Sequence, residues 1–284
     1  MTGRLAGKVA VVTGGSRGLG HAIARLYGSE GAKVVIASRS ADAVSTALEA
    51  LRRDGIDAAG QACDVSVRDE VDQLRQLALD TYGRLDIWGN NAGLSGVFGP
   101  TVDVPPERFE AVVGTNVLGT YHGTISALEV LLPQGSGHIV NLMGRGDKNP
   151  VPFQTAYAAS KSWIRAFTLA IAKENEHTGV RIHALNPGLV QTNMLTEVDA
   201  LPGTEAQLSR LPLINTMWGL PPERAALPAL DLVLGTRVEH QSLGLPQVLG
   251  RTLAYQAKRL LGRAPELQPL AIRIVEGRRT RRHE

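Results

Sequence analysis

Cysteine, aromatic residues and long apolar runs are all scarce in this chain. Of its 284 residues, one is cysteine and 4% are aromatic. The single thiol, Cys63, excludes an internal disulfide, which favours a reducing compartment, and we interpret it as a small core residue. No apolar run reaches the roughly 20 residues that cross a bilayer, and the N-terminal residues continue directly into a strand pattern without a signal sequence. We therefore expect a cytoplasmic protein with no membrane partner.

Neither sign of charge is in large excess. The net charge is +3, and much of the excess lies in residues 277–284, GRRTRRHE. Such a run could touch nucleic acid or anionic lipid, whereas a solvated chain end is the simpler interpretation. No aromatic residue alternates with these arginines to stack on bases, so we expect no nucleic-acid partner. With 43% hydrophobic residues, the chain can bury a full core.

Strand and helix patterns alternate along residues 8–190. The predicted strands are 8–13, 34–38, 58–63, 85–88, 138–142 and 180–185. The predicted helices are 21–31, 41–54, 68–82, 106–132 and 157–175. Right-handed crossovers then give an open, parallel, doubly wound α/β sheet. Ligands in such sheets bind beyond the carboxyl ends of the strands, so we expect the turns that follow the strands to form the site.

The first predicted strand continues directly into a glycine-rich turn. The sequence of residues 14–20 is GGSRGLG, and a helical pattern follows. Between a strand and a helix, glycines let the backbone turn tightly and approach a ligand, and the helix N-terminus offers free N–H groups to a pyrophosphate. The alternative is that the glycines serve only the turn. The dinucleotide-binding residues expected here are Gly14, Ser16, Arg17, Gly18, Leu19 and Gly20.

No carboxylate ends the second predicted strand, where a dinucleotide site usually places one to hold the adenosine ribose. That strand ends in Ser38 and Arg39, and the glycine turn carries Arg17. Two arginines suit a ribose 2′-phosphate through charge-assisted hydrogen bonds. The sequence therefore predicts a preference for NADP(H) over NAD(H), with an incidental pair of surface arginines as the alternative.

Tyr157 and Lys161 lie four residues apart in the helix-favouring run YAASK. At that spacing the two side chains share one face of a helix. A neighbouring ammonium group stabilises a phenolate, so we expect Lys161 to lower the pKa of Tyr157 towards neutrality. A surface helix that carries both residues by chance is the alternative. Upstream, Asn116 lies in a predicted helix, where an amide is unfavourable, and is either functional or a satisfied core amide.

The motifs TGGSRGLG, CDV, NNAG, TNV, YAASK and NPGLVQT occur in this order between residues 5 and 192. Their order and spacing resemble the short-chain dehydrogenase/reductase family. The resemblance implies a Rossmann-type fold, a nicotinamide cofactor, no metal, and hydride exchange between a carbonyl and an alcohol on a small molecule. It also implies a homo-oligomer, a dimer or tetramer, assembled through the helices predicted at 106–132 and 157–175.

The resemblance also implies roles for individual residues. Tyr157 would be the general acid/base, Lys161 would lower its pKa and hold the nicotinamide ribose, and Asn116 would keep a water that relays protons to Lys161. The other residues expected at the cofactor are Asp64 and Val65 on the adenine, Asn91, Ala92 and Gly93 on the adenosine ribose side, Pro187 and Gly188 after the sixth strand, and Val190 and Thr192 on the carboxamide.

One residue of the family pattern is missing. The substrate-orienting serine would lie about thirteen residues before Tyr157, where this chain has Gly144. Loss of one such hydrogen-bond donor costs about 10²–10³ in rate. The polar residues that could replace it are Asp147, Lys148, Asn149, Gln154 and Thr155. Three hypotheses stay open: a reductase with a substitute donor, a non-redox cyclase, dehydratase or isomerase on the same scaffold, and an NADPH-binding regulatory protein.

The C-terminal part also departs from the family. We expect a Rossmann-type domain over residues 1–250 and an extension over 251–284. Residues 243–250 are interpreted as a degenerate last strand of the sheet, followed by an amphipathic helix at 251–263, a possible strand at 270–276 and the basic tail. Residues 193–220, expected to cover the substrate, are rich in leucine. They favour a bulky apolar substrate, such as a polyketide- or terpenoid-like ketone, unless these side chains pack on the underside of the lid.

Overall fold

In a computed structural model that describes residues 3–278, a seven-stranded parallel sheet forms the centre of the molecule. The strand order is β3-β2-β1-β4-β5-β6-β8. Its strands are β1 (Val9–Thr13), β2 (Lys33–Ser38), β3 (Ala58–Ala62), β4 (Ile87–Asn90), β5 (Gly137–Leu142), β6 (Val180–Asn186) and β8 (Glu239–Gln241). β7 (Glu197–Ala200) and β9 (Ala271–Ile274) form a separate parallel pair. The predicted doubly wound α/β fold is confirmed.

Helices cover both faces of the sheet. The main ones are α1 (Gly18–Ser29), α2 (Ala41–Arg53), α3 (Arg68–Tyr82), α4 (Pro106–Val112), α5 (Gly119–Gln134), α6 (Thr155–Glu174) and α10 (Pro222–Leu234). The lid contains α7 (Asn193–Thr196), α8 (Glu205–Leu208) and α9 (Leu211–Trp218), and α11 (Leu245–Leu260) follows β8. None of the helices in residues 3–278 has the length and apolar character needed to span a bilayer.

β1 and the middle of β2 are continuous apolar runs because both of their faces are buried. Ala10 and Val12 of β1 enter a core layer with α1, α2 and α10, while Val9 and Val11 enter the opposite layer with α3 and α5. Cys63 is buried in the second layer, and burial raises the pKa of its thiol to about 12. A thiol with that pKa stays protonated and unreactive near neutral pH, which agrees with its interpretation as a core residue.

The end of the sheet differs from the sequence prediction. Residues 243–250 do not form its last strand, because Glu239–Gln241 pairs with β6 and the residues from Leu245 onward are helical. Pro246 occupies the first turn of α11, where its missing N–H costs nothing. Gly244 N donates to Gln247 Oε1 at 3.1 Å and closes that first turn. The helix predicted at 251–263 is the second half of α11, and the strand predicted at 270–276 is β9.

The C-terminal segment returns across the lid. β9 pairs in register with β7, and the Arg273 guanidinium donates to both carboxylate oxygens of Asp199, at 2.7 and 2.8 Å. Asp199 also accepts a hydrogen bond from Arg108, which precedes the lid in the sequence. The C-terminal segment therefore fixes the lid to the body of the protein. From Arg279 onward, the predicted basic tail lies outside the described residues.

Candidate active site

The carboxyl ends of the sheet strands meet at one edge, because all the strands of the sheet are parallel. The turn after each strand carries residues that the sequence predicts for the site. These are the glycine turn after β1, Ser38 and Arg39 at the end of β2, Asp64 and Val65 after β3, residues 91–93 after β4, Gly144 after β5 and residues 187–192 after β6. The predicted gathering of these turns at one edge is confirmed.

Asn91 fixes the glycine turn to the turn that follows β4. Its Nδ2 donates to the carbonyl oxygens of Thr13 at 3.0 Å and Gly14 at 3.2 Å. A Cβ on Gly20 would lie 2.3 Å from that Nδ2 and 2.2 Å from the Gly14 oxygen, so no larger residue fits there. Gly14 itself has φ +64, in the left-handed region that favours glycine. These glycines therefore pack two turns together, in addition to leaving room for a ligand.

The turns after β1 and β6 face each other where a pyrophosphate is expected. A Cβ on Gly18 would lie 3.1 Å from Thr192 Cγ2. Val190 is buried and forms a parallel bridge with Leu220 at the end of the lid. No side chain caps the N-terminus of α1, so no side-chain cap competes with a phosphate for the N–H groups of its first turn.

The two arginines expected to bind a 2′-phosphate are exposed at the same edge. Within the described part of the chain, the guanidinium group of neither Arg17 nor Arg39 forms a hydrogen bond or a close ion pair. Arg39 lies near enough to Asp64 to affect it. Although burial opposes the change, hydrogen bonds from Ser66 N and Oγ and the charge of Arg39 lower the pKa of Asp64. This corner therefore places the Arg39 guanidinium near one carboxylate, Asp64.

Tyr157 and Lys161 lie together near the start of α6. Lys161 Nζ is buried and donates to the Leu142 carbonyl oxygen at 2.9 Å, and burial lowers the pKa of Lys161 to about 8. Burial, reinforced by the charge of Asp147 and opposed by Arg145, raises the pKa of Tyr157 to about 12. The predicted lowering of the tyrosine pKa is therefore wrong for this structure. The ammonium group is directed at a backbone carbonyl, 5.6 Å from the centre of the tyrosine ring.

Asn116 lies in the π-helical segment Val113–Leu118 that joins α4 to α5. Its Nδ2 donates to Leu94 O at 3.0 Å and to Ser160 Oγ at 2.9 Å, and its Oδ1 accepts from Leu94 N at 2.8 Å. Both amide protons are used, so the side chain is a satisfied core amide that ties residue 94 to α6. Because the side chain is engaged, a relay water would have to bind the backbone of the π-helical segment, and this role stays a prediction. Such segments are common at functional sites.

The Tyr157 hydroxyl occupies the space that a side chain at position 144 would need. A Cβ on Gly144 would lie 2.5 Å from Tyr157 Oη and 3.5 Å from Lys161 Cε. Asn186 holds this turn in place, because its Nδ2 donates to Gly144 O at 3.3 Å and to Asp147 Oδ2 at 2.9 Å. The missing serine and the position of the tyrosine are therefore linked: the glycine lets the hydroxyl lie directly against the backbone.

Most of the polar residues expected to replace the serine are engaged elsewhere or exposed. Asp147 binds Asn186, Lys148 Nζ donates to Gln241 Oε1 at 2.7 Å, the hydroxyls of Thr155 and Thr101 share a hydrogen bond of 2.6 Å, and Asn149 is exposed. Gln154 lines a narrow cleft together with Tyr157. Its side chain forms no hydrogen bond with any residue in 3–278. The side chain of Gln154 therefore keeps its hydrogen-bonding capacity for a ligand.

Sequence reasoning missed further residues of this cleft, among them Ser95, Arg108 and Phe109. Ser95 follows the turn after β4, so its position beyond the end of a strand could have identified it as a site residue. Arg108 and Phe109 belong to α4 and carry no such signal. They reach the cleft because Arg108 pairs with the lid residue Asp199, which is a tertiary contact.

Part of the apolar lid packs on its own underside. Leu201 and Leu208 are buried, and a Cβ on Gly99 would lie 2.6 Å from Leu201 Cδ1. Met194 and Leu213 are exposed to 39% and 37% and remain available to a ligand. Some apolar side chains of the lid therefore pack on its underside, and others are exposed. Contact of the exposed ones with an apolar substrate stays a prediction.

Comparisons with known proteins agree with this geometry. A family model described as short chain dehydrogenase matches residues 8–202. A putative ketoacyl reductase of Streptomyces coelicolor is 37% identical over 193 residues, which cover 67% of this chain and 74% of that protein. A probable chloroplastic chlorophyll(ide) b reductase of Arabidopsis thaliana is 31% identical over 260 residues, which cover 84% of this chain and 51% of that protein.

Two solved structures show the same fold with different nicotinamide cofactors. A short chain dehydrogenase/reductase from Burkholderia phymatum in complex with NAD has a TM-score of 0.78 at 26% identity, covering 94% of this chain and 99% of that one. An actinorhodin polyketide ketoreductase with NADPH has a TM-score of 0.72 at 31% identity, covering 80% of this chain and 90% of that one. Similarity to these structures therefore supports a nicotinamide cofactor without choosing between its two forms.

Proposed function

The chain belongs to the short-chain dehydrogenase/reductase family of oxidoreductases, and on that premise we propose that it interconverts a carbonyl and an alcohol with NADP(H), using Tyr157 as the general acid/base. The substrate is a bulky, apolar small molecule. One observation carries the proposal: the Tyr157 hydroxyl lies against Gly144 beside the buried Lys161, at the sheet edge to which the glycine turn also belongs.

The residues at this edge fit a nicotinamide dinucleotide. The N-terminus of α1 offers N–H groups without a side-chain cap to a pyrophosphate, and Arg17 and Arg39 offer unpaired guanidinium groups to a 2′-phosphate. Thr192 lies opposite the glycine turn, at Gly18. NADP(H) bound there would supply or accept the hydride. The two arginines support NADP(H) over NAD(H), because no carboxylate ends β2 to accept the ribose hydroxyls.

Proton transfer then falls to α6. With a pKa of about 12, Tyr157 is protonated near neutral pH and can give its proton to a carbonyl oxygen as that oxygen becomes an alcohol. We propose that the phenolate left behind regains its proton through Lys161, whose pKa of about 8 allows it to lose a proton at a pH close to neutral. In the reverse direction the phenolate form of Tyr157, which a pKa of about 12 favours only at high pH, removes the alcohol proton.

We propose that Gln154 replaces the missing serine. Its amide lines the same cleft as Tyr157 and has no hydrogen-bond partner in the described part of the chain. The Nε2 group can therefore donate to the substrate oxygen and stabilise the charge that develops on it, as a serine hydroxyl would. Of the polar candidates that the sequence offered, the others already have partners or are exposed to solvent, which leaves Gln154.

The comparisons support a large apolar substrate. Similarity to the Arabidopsis reductase covers 84% of this chain, whereas residues 8–202 are only 195 of its 284 residues. That similarity therefore extends beyond the family core into the lid and C-terminal region, and that relative is named for the reduction of chlorophyll(ide) b. The Streptomyces relative is named for ketoacyl reduction. The proposed substrate class rests on these names and on the partly exposed apolar side chains of the lid.

The proposal is tested by following NADPH oxidation with a panel of bulky ketones and aldehydes, with NADH as the cofactor control. We expect turnover with NADPH, slower turnover with NADH, and a loss of at least about 10²-fold in kcat for Tyr157→Phe, because removal of a positioned acid costs that much. Full turnover by Tyr157→Phe would contradict the assigned acid/base. Conversion of the same compounds without NADPH consumption would favour the non-redox alternative.

A further inference from the structure

A row of leucines on α11 has no partner within the described residues. Leu245, Leu249, Leu253 and Leu260 are spaced four, four and seven residues apart, so they share one helix face. They are exposed by 72%, 55%, 70% and 88%. One exposed leucine on a protein surface needs no explanation, but four on one helix row form an apolar surface. We call this surface the leucine row.

The other side of α11 is the one that packs on the protein. Val248, Arg251, Thr252 and Tyr255 are half-buried against the lid, where α11 contacts α9. Thr252 Oγ1 accepts a hydrogen bond from Trp218 Nε1 at 2.9 Å. This side of the helix makes the contacts that hold α11 on the protein. Packing within the fold therefore does not explain why the leucine row is apolar.

The charged residues of α11 and of the three residues that follow it are all of one sign. Residues 245–263 contain Arg251, Lys258, Arg259 and Arg263 and neither aspartate nor glutamate. The last three are exposed. A symmetric contact between two copies of α11 would bring these cations together and oppose association. A helix with exposed leucines on one face and only cations among its charged residues is instead typical of helices that lie in the surface of an anionic bilayer.

We propose that the leucine row docks this protein on the surface of an anionic lipid bilayer. This proposal departs from the sequence-based expectation of no membrane partner, which rested on the lack of a bilayer-spanning run and did not consider the exposed leucines of α11. Docking would place the lid next to the lipid, because α11 packs directly on α9. An apolar substrate dissolved in the lipid would then enter beside the lid. That delivery role rests on the proposed function, whereas the docking itself does not.

Co-sedimentation of the full chain with vesicles tests the docking. Vesicles of phosphatidylglycerol and phosphatidylcholine are compared with vesicles of phosphatidylcholine alone, at low and high salt. We expect binding to the anionic vesicles that weakens with salt, and a loss of at least about tenfold in affinity for Leu249→Gln/Leu253→Gln, because two leucines leave the lipid. Lys258→Gln/Arg259→Gln should lose the preference for anionic lipid.

Leu227→Gln is the matched control, since Leu227 is 49% exposed on α10, outside the leucine row, and should bind vesicles like the wild type. Equal binding by the double leucine variant, or no binding by the wild type at low salt, would overturn the proposal. A dimer in analytical ultracentrifugation that dissociates only in the double leucine variant would also overturn it, by identifying the row as a contact between copies. NADPH oxidation with a water-soluble ketone should be unchanged in the double leucine variant, so failure of docking and failure of the proposed function are distinguishable.

Discussion

Gly144 stands where the sequence motifs predict the family's substrate-orienting serine. A Cβ there would lie 2.5 Å from the Tyr157 hydroxyl, so restoring the serine would displace the proposed acid. We expect Gly144→Ser to lower kcat by about tenfold or more, because overpacking at a buried site costs about 1–3 kcal/mol. Steady-state rates with a ketone substrate check this prediction.

Gly144→Ala is the matched control for that experiment, because it adds the same Cβ without a hydroxyl. Both variants should lose activity to a similar extent while still binding NADPH. A Gly144→Ser enzyme faster than the wild type would show that Tyr157 moves aside easily and that a hydroxyl at this position still helps.

Gln154 is the proposed replacement for the serine. We expect Gln154→Leu to lower kcat by about 10²-fold with a small change in KM, because the lost hydrogen bond acts mainly on charge that develops in the transition state. Asn149→Leu, in the exposed part of the same loop, is the control and should keep its activity. An unchanged kcat in Gln154→Leu would remove Gln154 from the mechanism.

Among the elements, the pairing of β7 with β9 decides how firmly the lid is held. Asp199 binds both Arg273 and Arg108, and its pKa is lowered by these hydrogen bonds and charges, with Arg273 contributing most. Asp199→Asn should therefore loosen the lid, raise KM for bulky substrates several-fold and expose residues 193–220 to proteases. Limited proteolysis followed by mass spectrometry locates the cuts.

Glu205→Gln serves as the control for the lid, because Glu205 is an exposed residue of α8. It should be cut no faster than the wild type. Equal resistance of Asp199→Asn would mean that the backbone hydrogen bonds between β7 and β9 hold the lid without help from the ion pairs.

The elements also show what the sequence can and cannot predict. β1 and β2 are predicted to within one residue, because a strand buried on both faces is a continuous apolar run. The last strand is missed, because β8 is a three-residue edge strand of polar residues, Glu239–Gln241, with no apolar signal. Residues 243–250 were mistaken for it, because a short apolar run does not distinguish a strand from a helix.

The sequence likewise predicts only part of the candidate active site. The turns and the Tyr157–Lys161 pair follow from motif spacing, since parallel strands bring their ends together. Motif spacing does not predict the raised pKa of Tyr157 or the contact of its hydroxyl with Gly144, because burial and loop geometry are tertiary properties.

At the scale of the whole molecule, a buried histidine pair links stability to pH. His138 Nδ1 lies 3.0 Å from His183 Nε2, and His183 Nδ1 lies 2.7 Å from the Arg237 carbonyl oxygen, an arrangement in which both rings are neutral. Burial, aided by the charges of His183, Arg181 and Lys8 and opposed by Asp86, lowers the pKa of His138 to about 4. Burial also lowers the pKa of His183.

Because the folded pKa lies below the usual value of about 6.5, the unfolded chain binds protons first as the pH falls. The contribution to stability is complete above about pH 6.5 and is lost towards pH 4, with a magnitude of up to about 3 kcal/mol for His138. Urea unfolding between pH 7 and pH 4.5 should show this loss. His138→Gln should flatten the curve, and a variant curve parallel to the wild type would contradict the assignment.

Hydride transfer is the central claim for the whole molecule, and one measurement tests it directly. Wild-type protein is incubated with NADPH that carries deuterium at the transferable position and with a bulky ketone, and the alcohol product is analysed by mass spectrometry. The account predicts one deuterium on the carbinol carbon and at least about 10²-fold less product from Tyr157→Phe. Product formed without deuterium would contradict it and would identify a proton-transfer enzyme on the same scaffold.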